Sequence, residues 1–143
     1  MNTQRKQIPI KEGWLHLRES PGDEFYLIGS KCTQCGFVHF PKMRACPLCK
    51  KDNLMREVPL SRKGKIDSFT VARQGTPGFA APYIQAYVLL PEKVKIFTLI
   101  EGPEAVDDAL TIGQEVELVL VKIREDEHGN EIIGWKFRLM AQL

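Results

Sequence analysis

No stretch of this 143-residue sequence approaches the ~18–20 consecutive apolar residues that a membrane-spanning helix needs. The opening MNTQRKQIPIKEG has no apolar core of the kind a secretory signal carries, so a cytoplasmic location is expected. Histidine is scarce. His16, His39 and His128 are the three, and none has a nearby serine or uncommitted cysteine in an arrangement suited to nucleophilic attack. Asp107 and Asp108 are adjacent and do not form a facing pair, and the acidic run EDE at 125–127 reads as a solvated turn. Nothing assembles an acid, a base and an electrophile, so catalysis by this chain alone is not expected. The Gly- and Pro-rich stretch RQGTPGFAAPY (73–83) lacks the spacing of a phosphate-cradling or dinucleotide loop and reads as a long connection between strands. Internal repeats and low-complexity segments are also missing.

Cysteine is the informative residue. All four lie between positions 32 and 49, in CTQCGFVHFPKMRACPLC. In a reducing compartment, clustered thiols are more often metal ligands than disulfides. Zinc takes four ligands at tetrahedral corners, and two C-x-x-C turns facing each other supply them. Cys32, Cys35, Cys46 and Cys49 are therefore the expected ligands of a structural Zn2+. Gly36 directly follows the first pair, where a knuckle turn needs positive φ, and Pro47 stiffens the second. Two redox disulfides or an iron–sulfur cluster are the alternatives. The βαβ context of a redox C-x-x-C is missing, and cluster proteins use other spacings. Four thiolates leave no open position, so the metal is expected to hold shape rather than perform chemistry. His39, between the pairs, reads as a surface residue of the hairpin.

The rest of the chain reads as mainly β. Residues 1–12 look like a polar arm. GWLHL and EFYLIGSKC are short strands, or a helical turn and a strand, around the turn SPGD. FVHF is a short strand between the cysteine pairs, and the connector after Cys49 has a strand at its centre. From residue 64, five runs carry strand character: KIDSFTVARQ, YIQAYVLLPE, VKIFTLIEG, GQEVELVLVKIRED and EIIGWKFRLMA. In the fourth, Val116, Leu118 and Leu120 fall on one face and Glu115, Glu117 and Val119 on the other. A short helix or turn, PEAVDDALTIG, separates the third run from the fourth. That order is the order of an OB-fold barrel. The expected organisation is an N-terminal arm (1–24), a four-cysteine zinc ribbon with rubredoxin-like knuckles (25–60) and a five-stranded OB-fold domain (61–143).

Net charge is only +2, but it is unevenly spread. Residues 1–65 hold 13 Lys/Arg against 6 Asp/Glu, and residues 66–143 hold 7 against 12. A basic ribbon points to an anionic partner. OB barrels bind single strands through aromatics on strands two and three, here Tyr83, Tyr87 and Phe97, and through a positive groove. The acidic barrel half argues against general nucleic-acid binding, since that depends on neutralising phosphates. A single-stranded nucleic-acid-binding ribbon/OB module remains the alternative function.

LIGSKCTQCGFVHFPKMRACPLC, then GKIDSFTVARQGTPGFAAPYIQAYVLLPE, LTIGQEVELVLV and a closing GWKFR resemble the zinc-ribbon/OB-fold proteins associated with acyl-CoA enzymes. The resemblance covers roughly residues 25–140. Its most specific parts are the C-x2-C-G…F-P…R-x-C-P-x-C ribbon and the barrel opening at Gly64, Ile66, Ser68, Phe69, Thr70 and Val71. The family's usual N-terminal helix with its F-W start is replaced here by GWLHLRESPGDEFYLIG. GTPGFAAPYIQAYV and GWKFR further resemble the branch that forms small subunits of benzoylsuccinyl-CoA thiolases, in the degradation of toluene through benzylsuccinate.

The resemblance implies a non-catalytic accessory subunit, docked in a hetero-oligomer of two plus two on a thiolase-like catalytic subunit and helping to bind or gate its CoA thioester. Lys42, Arg44, Lys50, Lys51, Arg62 and Lys63 are the candidates for the anionic CoA end. Phe79, Ala80, Pro82 and Tyr83 are the candidates for contact with the partner.

Overall fold

The computed structural model describes residues 6–73, 81–105 and 108–140. Among the described residues the regular structure is entirely β, in ten strands. They belong to two compact units. One comprises Met1–Leu60 and Leu120–Gly134, the other Ser61–Val119 and Trp135–Leu143.

The second unit is a barrel. β6 (Lys63–Ala72), β7 (Tyr83–Leu89) and β8 (Lys95–Glu101) form an antiparallel meander. β9 (Glu115–Glu125) returns to β6 through Lys63↔Glu117, Gly64↔Val116 and Lys65↔Glu115. β10 (Glu131–Leu139) lies parallel to β8, with Phe137 opposite Ile100, and also pairs with β9. The sheet closes as β6-β7-β8-β10-β9, a five-stranded OB fold. Strict alternation makes the core: Ile84, Ala86 and Val88 from β7, Ile96 and Ile100 from β8, Val116 and Leu118 from β9, all buried, with Phe137 fully so. Each of these side chains other than that of Ala86 contributes about 1.5–3 kcal/mol of burial. A bulge between Ile66 and Ser68 gives β6 one extra residue, and Asp67 there reaches Lys95 at 3.2 Å. Gly64 is required by closeness. A Cβ there would stand 2.7 Å from Val88 Cγ1 and 2.8 Å from the Leu89 carbonyl oxygen. The β7–β8 connection is a tight turn, with Lys93 N–H donating to the Leu90 carbonyl at 2.9 Å. Where the sequence reads as a short helix or turn before β9, the described residues form bends and turns; Val106 and Asp107 lie outside them.

The other unit holds the ribbon. β3 (Tyr26–Cys32) is its spine. β2 (Leu15–His16) pairs with its start, β4 (Val38–His39) with Ser30 and Lys31, and β5 (Met55–Pro59) with Ile28 through Cys32, all antiparallel. Strands thus replace the alternative of a helical turn at GWLHL. The polar arm is less featureless than its composition implies. β1 (Gln7–Pro9) pairs in parallel with Glu131–Ile133 of β10. The β9–β10 turn lies at 126–130, with the Asp126 carboxylate accepting from the backbone N–H groups of His128 and Asn130.

Candidate metal centre

Each cysteine pair is carried by the same local turn. After the first pair, Gly36 N–H donates to the Cys32 carbonyl at 2.9 Å and Cys32 N–H to the Phe37 carbonyl at 2.8 Å. After the second, Lys50 N–H donates to the Cys46 carbonyl at 2.8 Å and Cys46 N–H to the Lys51 carbonyl at 3.0 Å. The correspondence extends to the dihedrals. Gly36 has φ 79° and Lys50 φ 61°. Glycine takes that conformation freely, whereas lysine is strained in it. The signal for Lys50 was present in the sequence, in the repeat of C-x-x-C-G-F as C-x-x-C-K-K, but glycine is the only residue that announces such a turn by type.

The turns face each other. The four Sγ atoms lie within 4.8 Å of one another. Cys32 and Cys49 are 3.7 Å apart, and Cys35 and Cys46 3.5 Å. Zinc–thiolate bonds of ~2.3 Å at tetrahedral angles require sulfur separations of about 3.8 Å. The residues therefore fit a structural zinc ion. The backbone N–H of Cys35 holds the Cys32 thiol down at about 6, and that of Cys49 lowers Cys46 in the same way. Cys35 feels the opposing pull of the Phe37 N–H, yet burial and its neighbouring sulfurs push it up to about 11. The first cysteine of each knuckle is thus shifted towards the thiolate form that a metal ligand needs, and the second away from it. When bound, zinc would cross-link the two knuckles. Four sulfurs fill its coordination shell.

His39 is not part of this cluster. Its Nδ1 meets the Pro41 carbonyl at 2.8 Å, and its ring lies beside Phe37. His16 is held by Asp23 at 2.8 Å and stacks on Tyr26. Ser30, buried under the ribbon, accepts the Met43 N–H at 2.9 Å and so fixes the return path to the second knuckle.

The basic candidates separate into groups. Lys42 is paired with Glu57, and Arg44 with Asp52 at 3.2 Å. Lys50 and Lys51 are exposed and directly follow Cys49 in the chain. Arg62 and Lys63 belong to the barrel unit, where the Arg62 carbonyl accepts the Leu118 N–H at the start of β6. Of the partner-contact candidates, Phe79 and Ala80 lie outside the described residues. Pro82 is exposed, and Tyr83 is half-buried at the first position of β7.

Two family models match this chain: the rubredoxin-like zinc ribbon domain of ChsH2 over residues 20–54, and the C-terminal OB-fold domain of ChsH2 over residues 57–121. The benzoylsuccinyl-CoA thiolase subunit BbsA of Thauera aromatica is 38% identical over 124 residues, covering 85% of this chain and 83% of that protein. The chain belongs to the ChsH2/DUF35 family. Another member, a DUF35 domain-containing scaffold protein of Methanothermobacter thermautotrophicus, is 38% identical over 128 residues, covering 87% of this chain and 92% of its own length. Among solved structures, a chain of the Ltp2-ChsH2(DUF35) aldolase superposes with a TM-score of 0.62 at 26% identity, over 80% of this chain and 84% of that one. Family members thus carry the names of thiolase subunit, scaffold protein and aldolase component. The ribbon-plus-barrel family read from the sequence is borne out, and BbsA is among the relatives it led to.

Proposed function

We propose that this chain is a non-catalytic accessory subunit of a thiolase-type acyl-CoA enzyme. It docks on and stabilises a catalytic subunit, which supplies the nucleophile and the base. The observation that carries the reading is the closed four-thiolate centre in a chain whose relatives bear thiolase-subunit and scaffold names. A coordination shell filled by protein cannot take substrate, so the metal's task is to fold the ribbon.

The BbsA likeness points to a benzoylsuccinyl-CoA-like thioester as substrate of the complex, in β-oxidation-like breakdown of benzylsuccinate or toluene. The proposed assembly is two-plus-two and cytoplasmic, its stoichiometry taken from the usual dimeric state of thiolases. Lys50 and Lys51 are the ribbon cations best placed to meet the CoA phosphates, because Lys42 and Arg44 already face carboxylates.

The purified chain alone should give no thiolytic turnover of an arylsuccinyl-type acyl-CoA with free CoA. Adding the catalytic subunit should give turnover above that of the catalytic subunit alone. Robust turnover by this polypeptide by itself would end the proposal.

A further inference from the structure

In the barrel unit, Tyr87, Leu89, Phe97 and Ile112 are the exposed large hydrophobics among the described residues. Three of them form one cluster. Tyr87 and Phe97 stand directly opposite each other on β7 and β8, with ring centroids 5.2 Å apart, and are 46% and 54% exposed. Leu89 is two residues along the same face. From Leu89 and Lys65 the surface continues into an open groove of about 420 Å³ that runs past Pro91 to Met140. Water-facing aromatics side by side on an OB sheet do nothing for the barrel's own core, which is filled from the other face.

The charge around this cluster is mainly positive, with Glu115 the one carboxylate lining the groove. Lys63 and Lys65 flank the groove, and Lys93 stands on the β7–β8 turn. Among the described residues none of the three has a carboxylate within ion-pair distance, although Lys65 stands opposite Glu115 in the ladder. Lys95 is neutralised by Asp67. The lysines are out of keeping with the acidic half of the chain that carries the rest of the barrel.

We infer that this end of the β7–β8 face seats a protein surface with an apolar centre and an acidic rim, and, resting on the reading above, that this surface belongs to the catalytic subunit. Two flat aromatics at the centre are suited to anchoring an interface, and lysines at the edge steer an acidic partner. A second copy of this chain is disfavoured, because a two-fold contact would bring Lys63, Lys65 and Lys93 against their own copies. Three free lysines are also few for tracking a phosphate backbone.

The test uses the full zinc-loaded chain and the catalytic subunit that copurifies with it, with affinity measured at two salt concentrations. The double variant Tyr87→Ser/Phe97→Ser changes exposed positions, and should weaken the complex about a hundredfold or more. Lys63→Glu/Lys65→Glu should weaken it about tenfold, chiefly by slower association, with a reduced salt dependence. Unchanged affinity in both variants, with the wild-type complex intact, overturns the surface and leaves the accessory-subunit reading standing. Failure of the wild-type chain to bind any thiolase-type subunit overturns both. If the serine variant does not fold, the lysine variant alone decides, since surface charge reversal leaves the core untouched. Tight binding of a single-stranded oligonucleotide, lost in the aromatic variant, overturns the protein occupant.

Discussion

Between residues 33 and 59 of the ribbon only Cys46 is buried, whereas in β7 and β8 every second side chain is. The barrel carries its own apolar core and closes its sheet on itself, so its fold follows from alternation. The ribbon is shorter, and from Thr33 to the end of β5 it hides only Cys46, with Leu27 and Leu60 buried near its two ends. A segment with so little apolar burial cannot offset the entropy of ordering its chain, which costs ~1–2 kcal/mol per residue for the backbone alone. A metal cross-link supplies what packing does not. The two regions of one chain therefore depend on different conditions, and that difference can be tested from either side.

The largest effect is expected from the metal. Chelation, or Cys46→Ser, should unfold the ribbon while the barrel persists. Hydrogen exchange should show lost protection in Tyr26–Cys32 and Met55–Pro59 but retained protection in Tyr83–Leu89 and Lys95–Glu101. Simultaneous loss in both regions would show that the barrel depends on the ribbon after all.

The converse experiment empties the barrel. Phe137 is fully buried, and Phe137→Ala should destabilise the barrel by about 3–5 kcal/mol in a denaturant titration. Zinc content should stay at one ion per chain.

A backbone approach gives a smaller effect in each region. A Cβ at Gly64 meets the Leu89 carbonyl oxygen at 2.8 Å, and one at Gly29 meets Leu60 Cδ2 at 2.8 Å and the His39 carbonyl oxygen at 3.0 Å. Either glycine replaced by alanine should cost about 1–3 kcal/mol from overpacking. Gly64→Ala should act on barrel melting and Gly29→Ala on zinc affinity. The reverse assignment would break the comparison.

The smallest effect is one of pH. The Asp23 carboxylate accepts the backbone N–H of Glu19, then His16, and also the N–H of Glu24, and its pKa is lowered. A depressed carboxylate stabilises the fold above its unfolded value, and that contribution is lost as pH falls through the folded value. Asp23→Asn should therefore be slightly less stable at neutral pH and show a flatter loss of stability below about pH 4. An unchanged acid profile would remove Asp23 from the account.

Legibility followed the same division. The metal site could be read from spacing alone, because C-x-x-C is a local geometry and four cysteines have few other uses in one short stretch. The barrel strands could be read because Val116 and Leu118 alternate with Glu115 and Glu117, and the turn at Asp126–Asn130 announces itself by composition. Gln7–Pro9 could not be read as a strand. Three residues of mixed polarity carry no period, and their partner lies more than a hundred positions away. Lys50 at positive φ is signalled only by its place after the second C-x-x-C, because lysine as a residue type does not mark the left-handed region. The lysines at 63, 65 and 93 are spread over thirty residues and come together only when β6 and the β7–β8 turn are folded. Charge patches assembled by sheet register have no linear signature.

The accessory-subunit claim is tested most directly by native purification from the source cells through a tag on this chain, with mass spectrometry and sedimentation of the proteins that copurify. The account predicts a stoichiometric thiolase-like protein that stays bound as salt is raised, in a particle of two copies of each chain. Recovery of nucleic acid or ribosomal proteins that leave at moderate salt, with no thiolase-like partner, would contradict it.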